Sequence, residues 1–218
     1  MTTDESPVLT GLRALPVQAR ARRTVEVLLA AARELLIEGG PEALTTSGLA
    51  SRTGLHVRNV YRYFPNRNAV FVALAAQFNQ RLETELGASG CLTDPASDWR
   101  AALQQAMAVL VMVGVQEPAI RQIRAALQTS PELQAMDVAS DKRIANLIAQ
   151  ALHGRGALVS LETLQLRAFV LVTALGAVLD RMLAGDGPQQ RLILEELESM
   201  ATTYLAKNMP HGASEPTP

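Results

Sequence analysis

Apolar residues along this 218-residue chain recur at intervals of three and four and almost never alternate, which is the period of amphipathic helices and not of strands. An all-α fold is therefore expected. The clearest helix runs from about Val17 to Glu38 and carries Val25, Leu28, Leu29, Ala32, Leu35 and Leu36 on one face, with Gly39-Gly40-Pro41 as a left-handed cap and stop. Hydroxyls at Thr45-Thr46-Ser47 can cap a second, short helix that ends before Gly54. A third covers about Val57 to Tyr63. After Pro65, Asn66 can cap a fourth, whose face includes Ala69, Val70, Ala73, Leu74 and Phe78 and which stops at Gly87. Beyond a loop at 88–97, further helices are expected near 97–116, 118–128, 131–153, 160–184 and 188–207, separated by Pro118, Ser130-Pro131, Gly154 to Gly156 and Gly185-Asp186-Gly187-Pro188.

Five of the eight aromatic residues (Tyr61, Tyr63, Phe64, Phe71, Phe78) fall within eighteen positions, and charge divides along the chain in the same way. Residues 1–70 hold 9 Arg and Lys against 6 Asp and Glu, whereas residues 71–218 hold 11 against 15, so polyanion contact is expected at one end only. The expected organisation is a mobile tail at 1–15, a first domain at 16–65, a linking helix at 66–87, a second domain at 88–208 and a mobile tail at 209–218. The single cysteine, Cys91, cannot close an internal disulfide, and the N-terminus lacks the basic start and apolar run of a secretory signal, so a reduced, cytoplasmic protein is expected. The apolar stretches Ala106 to Val115 and Ala168 to Leu179 are too short for a bilayer, so no membrane association is expected.

The functional signal is the spacing around Thr46. With Thr46 as the first of twenty positions, small Ala50 is fifth, Gly54 ninth and apolar Val60 fifteenth, with Leu49 and Leu55 as further core positions. A small residue lets two helices cross closely, glycine permits the left-handed turn, and an apolar residue pins the second helix on the first. From Arg23 to Phe78 the chain resembles the TetR family of bacterial transcriptional regulators. The resemblance rests on Glu38-Gly39-Gly40, Thr45-Thr46, Leu49-Ala50, Thr53-Gly54-Leu55, the run Val60-Tyr61-Arg62-Tyr63-Phe64-Pro65-Asn66-Arg67, and Val70. It implies a three-helix helix-turn-helix DNA-binding domain, followed by a helical bundle for ligand binding and dimerisation. The chain departs from the family pattern at His56, Arg58-Asn59 and Arg67, where Ser or Thr, small residues and Lys are usual. His56 is a poorer cap than a hydroxyl residue, so a loosened start to the recognition helix is expected.

A helix from Val57 to Tyr63 suits the major groove, with His56, Val57, Arg58 and Asn59 nearest the base edges and Arg62 further along. Arginine pairs bidentately with guanine and asparagine with adenine, so Arg58 and Asn59 are the expected specificity residues. Thr45, Thr46, Tyr61, Tyr63 and Arg67 are expected on phosphates, where they set register without reading sequence. The expected partner is a double-stranded palindromic operator.

In the second domain, Trp99, Met107, Leu110, Met112, Ile123, Leu127, Leu147, Phe169 and Thr173 are candidates for an effector pocket, and a methionine-rich, aromatic-poor lining favours a small, largely apolar ligand. Leu164, Leu171, Leu175, Val178, Met182, Leu197, Met200 and Tyr204 lie on apolar faces of the last two helices and are candidates for a homodimer interface. The sequence predicts no cofactor. His56, His153 and His211 have no second ligand at metal-binding spacing, and no nucleophile-base set or glycine-rich phosphate loop occurs, so neither a metal site nor an enzyme is expected. The expected function is a repressor released from its operator by an effector. The alternatives are a DNA-binding regulator without a ligand and an all-helical enzyme.

Overall fold

The computed structural model describes residues 19–95, 97–182 and 189–210, and among these it contains nine helices and no strand. They are α1 (Ala19–Ala43), α2 (Thr46–Thr53), α3 (Val57–Tyr63), α4 (Arg67–Ala88), α5 (Trp99–Val115), α6 (Ile120–Leu127), α7 (Pro131–Gly154), α8 (Leu161–Met182) and α9 (Gln189–Ala206). All nine agree with the periodicity to within a few residues. The expected start at Val17, the tail at 1–15 and the break at 185–188 lie outside the described residues, as does the tail from 211 onward.

Local chemistry explains the boundaries. Gly40 leaves α1 with φ 69° and ψ −168°, so α1 is two helical stretches joined across a kink at the expected glycine pair. The α4 N-terminus is closed by Asn66, whose Oδ1 accepts the Ala69 N–H at 2.9 Å.

The described residues form two compact units. The first takes the chain up to Arg81 together with Gly114–Asp137, and the second takes Leu82–Val113 and the residues from Val138 on. The first core joins Leu28, Leu29 and Leu36 of α1 to Leu49 of α2, Val60 of α3, Phe64, Val70 and Leu74, and also to Ala119 and Ile123. Residues 114–137, expected in the second domain, therefore belong to the first unit. The reason is amphipathicity: α6 buries Ile120, Ile123, Ala126 and Leu127 on one side and exposes Arg121, Ala125 and Gln128 on the other.

The second core is built from Trp99 and Leu103 of α5, Ala145, Ala149 and Leu152 of α7, one face of α8, and Leu197, Ala201 and Leu205 of α9. It extends past the expected boundary at 208. Met209 is 1% exposed within this core, and the Leu158 N–H donates to the Asn208 carbonyl at 2.7 Å, so packing holds a segment that composition assigned to a mobile tail. Helix α8 is also apolar over a longer run than expected. Leu161–Leu179 is long and apolar enough to cross a membrane, because Leu166 and Val170 continue the apolar character onto the side away from Leu164, Ala168 and Leu171.

Candidate nucleic-acid interface

Three short-range features shape the helix-turn-helix in the first unit. Thr45 caps α2 with its Oγ1 accepting the Gly48 N–H at 2.9 Å. A side chain at position 48 would crowd that cap, since its Cβ would lie 3.0 Å from Thr45 Oγ1 and 3.2 Å from the Ala43 carbonyl oxygen. Gly54 closes α2 at φ 68°, the left-handed conformation that the turn requires.

Helix α3 divides cleanly into an inner and an outer side. Val60 is fully buried and Val57 and Tyr63 pack partly against the core, whereas His56, Arg58, Asn59, Tyr61 and Arg62 are exposed. The cap at His56 is sounder than its residue type suggests, because the imidazole Nδ1 accepts the Arg58 N–H at 3.2 Å. An accepting Nδ1 leaves the proton of the neutral ring on Nε2, so the exposed imidazole presents a donor. The Thr46 hydroxyl donates to the Tyr61 hydroxyl oxygen at 3.2 Å, which joins the α2 N-terminus to the outer side of α3. The Arg62 guanidinium stands 6.0 Å from the Tyr63 ring centroid.

Three ion pairs border this surface. Arg67 Nη1 lies 3.2 Å from Glu42 Oε2, so the expected phosphate contact starts from a paired state. Arg52, a residue that motif reading passed over, reaches from α2 to Glu34 at 3.0 Å and to Glu38, both on α1. The hydrogen bond from Arg52 holds the Glu38 carboxyl below its ordinary range, and the same bonds raise the guanidinium further above its own. An i,i+4 acidic pair on α1 facing a basic residue near the end of α2 was the available signal.

Residues 28–74 match the bacterial regulatory proteins of the tetR family, and residues 98–205 match the tetracyclin repressor-like C-terminal domain. The chain belongs to the TetR family. It is a DNA-binding transcriptional regulator with the all-α fold of that family. A transcriptional regulator from a Rhodococcus species aligns over 87% of this chain and 100% of its own, at 18% identity and a TM-score of 0.68. The multidrug binding protein EbrR complexed with imidazole aligns over 87% and 97%, at 18% identity and 0.65. The TetR family repressor AlkX from Dietzia sp., implicated in biodegradation of n-alkanes, aligns over 84% and 98%, at 20% identity and 0.54. These likenesses are of fold. No curated protein matches the sequence.

In this TetR-family chain the expected pocket residues do not gather in one place. Ile123 and Leu127 are buried in the first unit, Met112 and Leu147 are exposed, and the Thr173 hydroxyl donates to Asp141 Oδ2 at 3.1 Å. Met107, Leu110 and Phe169 pack at the edge of the second core. Trp99 alone of the nine lines the cavity that the second unit contains, where Cys91, Leu103, Ile148, Leu152 and Arg155 join it. Sequence spacing missed these because they come from two loops and two separate helices.

The expected dimer residues divide as well. Leu164, Leu171, Leu175, Met182 and Leu197 are buried in the second core of their own chain, which removes them from any surface that a second copy covers. Val178 is partly buried, and Met200 and Tyr204 are exposed. Exposed Leu166 and Val170 of α8 were not expected. Both helices are apolar on two sides, and spacing alone selected the inward one.

Proposed function

We propose that this TetR-family regulator is a homodimeric repressor that binds a palindromic operator and is released by a small effector held in its second unit. The observation that carries the reading is the outer side of α3, which displays His56, Arg58, Asn59 and Arg62 together while Val60 anchors the helix. Arg58 and Asn59 read guanine and adenine edges in the major groove, and His56 Nε2–H donates to a base acceptor or phosphate. Thr45, Thr46, Tyr61, Tyr63 and Arg67 set the register on phosphates.

Dimerisation is supported by the large apolar residues left exposed on α8 and α9: Leu166, Val170, Leu192, Met200 and Tyr204. A second copy of the same two helices covers them in a two-fold four-helix interface. Effector binding tilts α4 and alters the separation of the two recognition helices, which for adjacent major grooves must be about 34–36 Å. Ligand and operator then weaken each other's binding reciprocally.

The test is selection of operator sequences from a random duplex library with purified protein, followed by titration of the selected duplex at several salt concentrations. A two-fold symmetric sequence bound well above random duplex is expected. An asymmetric sequence, or no enrichment by folded protein, overturns the reading.

A further inference from the structure

The first unit is discontinuous in sequence. Its segment 114–137 lies between two segments of the second unit, and α5 and α7 each contribute residues to both units, since α5 ends at Val115 and α7 starts at Pro131. A shift of either helix is therefore passed along the chain to 114–137, and the contacts that hold this segment decide whether the DNA-binding helices respond. The apolar hold is modest. The first core takes Ala119, Ile123 and Ala126 from the segment, two of them small, and Leu127 packs with Val72 of α4 and Leu133 in a separate cluster. Gln122 opposes docking, because its Oε1 is buried without a donor and regains one from water when α6 moves.

The directional hold is an ion pair. Glu117, two residues beyond the end of α5, is 8% exposed, and both of its carboxylate oxygens accept from Arg33 Nε, at 2.9 and 3.0 Å. Arg33 Nη2 also donates to Gln77 Oε1 of α4 at 3.1 Å. On α1, Arg33 stands between Leu29 and Leu36, which share the first core with Leu49 of α2 and Val60 of α3. The pair thus ties the α5–α6 turn to the helix on which the helix-turn-helix is built. A buried ion pair adds little net stability over an apolar pair of the same shape, but opening it strands a charge away from water. It is accordingly made or broken, with little in between, as a two-state contact requires.

We propose that Arg33 and Glu117 form a latch that couples operator binding to the α5–α6 turn. Closed, the pair and Gln77 fix α1 and α4 in the operator-binding arrangement; open, α6 is released and operator affinity falls. Both are positioning residues that act on DNA through α1. The proposal rests on the reading that the chain binds an operator, and it adds to the tilt of α4 a second route for the effector, through α1.

The selected operator duplex is the probe, so the test needs no effector. Amide hydrogen exchange is followed in the full-length protein with and without saturating duplex, with α8 as the reference for global opening. In wild type the duplex is expected to slow exchange in α2 and α3 and also, by about tenfold more than in α8, at residues 116–123. The double variant Arg33→Met/Glu117→Gln removes both charges. At saturating duplex it is expected to keep the slowing in α2 and α3, to lose the excess at 116–123, and to bind the operator about tenfold more weakly. Affinity is measured where melting curves show the variant fully folded, because a merely structural role lowers the melting temperature without moving the Kd of folded protein. No excess slowing at 116–123 in wild type, its survival in the double variant, or a Kd within about twofold of wild type overturns the latch. If the double variant does not melt cooperatively, Arg33→Lys decides: it keeps the charge without the planar fork, so its Kd is expected to rise, and a Kd equal to that of wild type overturns the proposal. Failure of folded wild type to select any operator overturns the DNA-binding reading itself, whereas failure of the latch leaves operator binding standing.

Discussion

Arg33 of α1 places its Nε 2.9 Å from Oε2 and 3.0 Å from Oε1 of Glu117, a buried carboxylate in the turn between α5 and α6. The same guanidinium donates to Gln77 Oε1 of α4 at 3.1 Å, so one arginine joins three segments inside the first unit. The pair contributes through what its loss would leave behind. Replacing Glu117 by Gln leaves the Arg33 charge without its counterion, partly relieved by Gln77, so a loss of about 2 kcal/mol of stability is expected. Chemical denaturation of Glu117→Gln checks this, and pairing it with Arg33→Met should recover part of the loss.

The two proposed classes of DNA contact should separate by their sequence dependence. Arg58→Ala and Asn59→Ala are each expected to cost about 1–3 kcal/mol on the selected operator and to relax preference at one base pair. Arg67→Ala is expected to weaken all duplexes alike and to reduce the salt slope by about one. Since Glu42 pairs with Arg67 in the free protein, Glu42→Gln should tighten binding to any duplex. Fluorescence anisotropy on cognate and scrambled duplexes distinguishes the two patterns.

Acid sensitivity follows from Glu38. Its carboxyl is held below the ordinary value of 4.5 by the hydrogen bond from Arg52, so its contribution is present above that pH and is lost as pH falls through the lower folded-state value. The pair is exposed, so the effect is small. Wild type is expected to exceed Glu38→Gln in stability at neutral pH, and the gap should close below pH 4.5. Melting curves across that range test it, and a gap independent of pH would contradict the assignment.

Leu166 is 64% exposed in the single chain, so it is the position at which to test the proposed dimer. Leu166→Glu adds charge to a surface position, so the monomer fold should be nearly unaffected, within about 0.5 kcal/mol. The dimer interface, by contrast, would have to bury that charge. Sedimentation is expected to show monomers, and operator affinity should fall by about a hundredfold or more as half-sites lose their coupling. A Leu166→Glu variant that remains dimeric places the interface elsewhere.

The helix-turn-helix was legible in the sequence because its constraints are local. Thr45 meets Gly48 three residues on, Gly54 supplies its own left-handed turn, and Asn66 caps Ala69, so residue type at fixed spacing carries the geometry. The inner and outer sides of α3 follow from the same short-range periodicity.

The second unit was legible only as helices. Spacing groups Leu164 with Leu171, Leu175 and Met182 on one apolar face, but it does not tell whether the chain's own core or a second copy covers that face. The structure buries Leu164 fully and leaves Leu166 exposed. The cavity shows the same limit, since Arg155 meets the carbonyl of Cys91 across 64 positions of chain. Helix type, helix ends and the outward side of α3 are set by contacts within a turn or two, which sequence spacing encodes. What covers each apolar face of α8, the membership of α6 and the meeting of Trp99 and Arg155 at one cavity depend on contacts between distant segments, whose energies arise only when the helices pack.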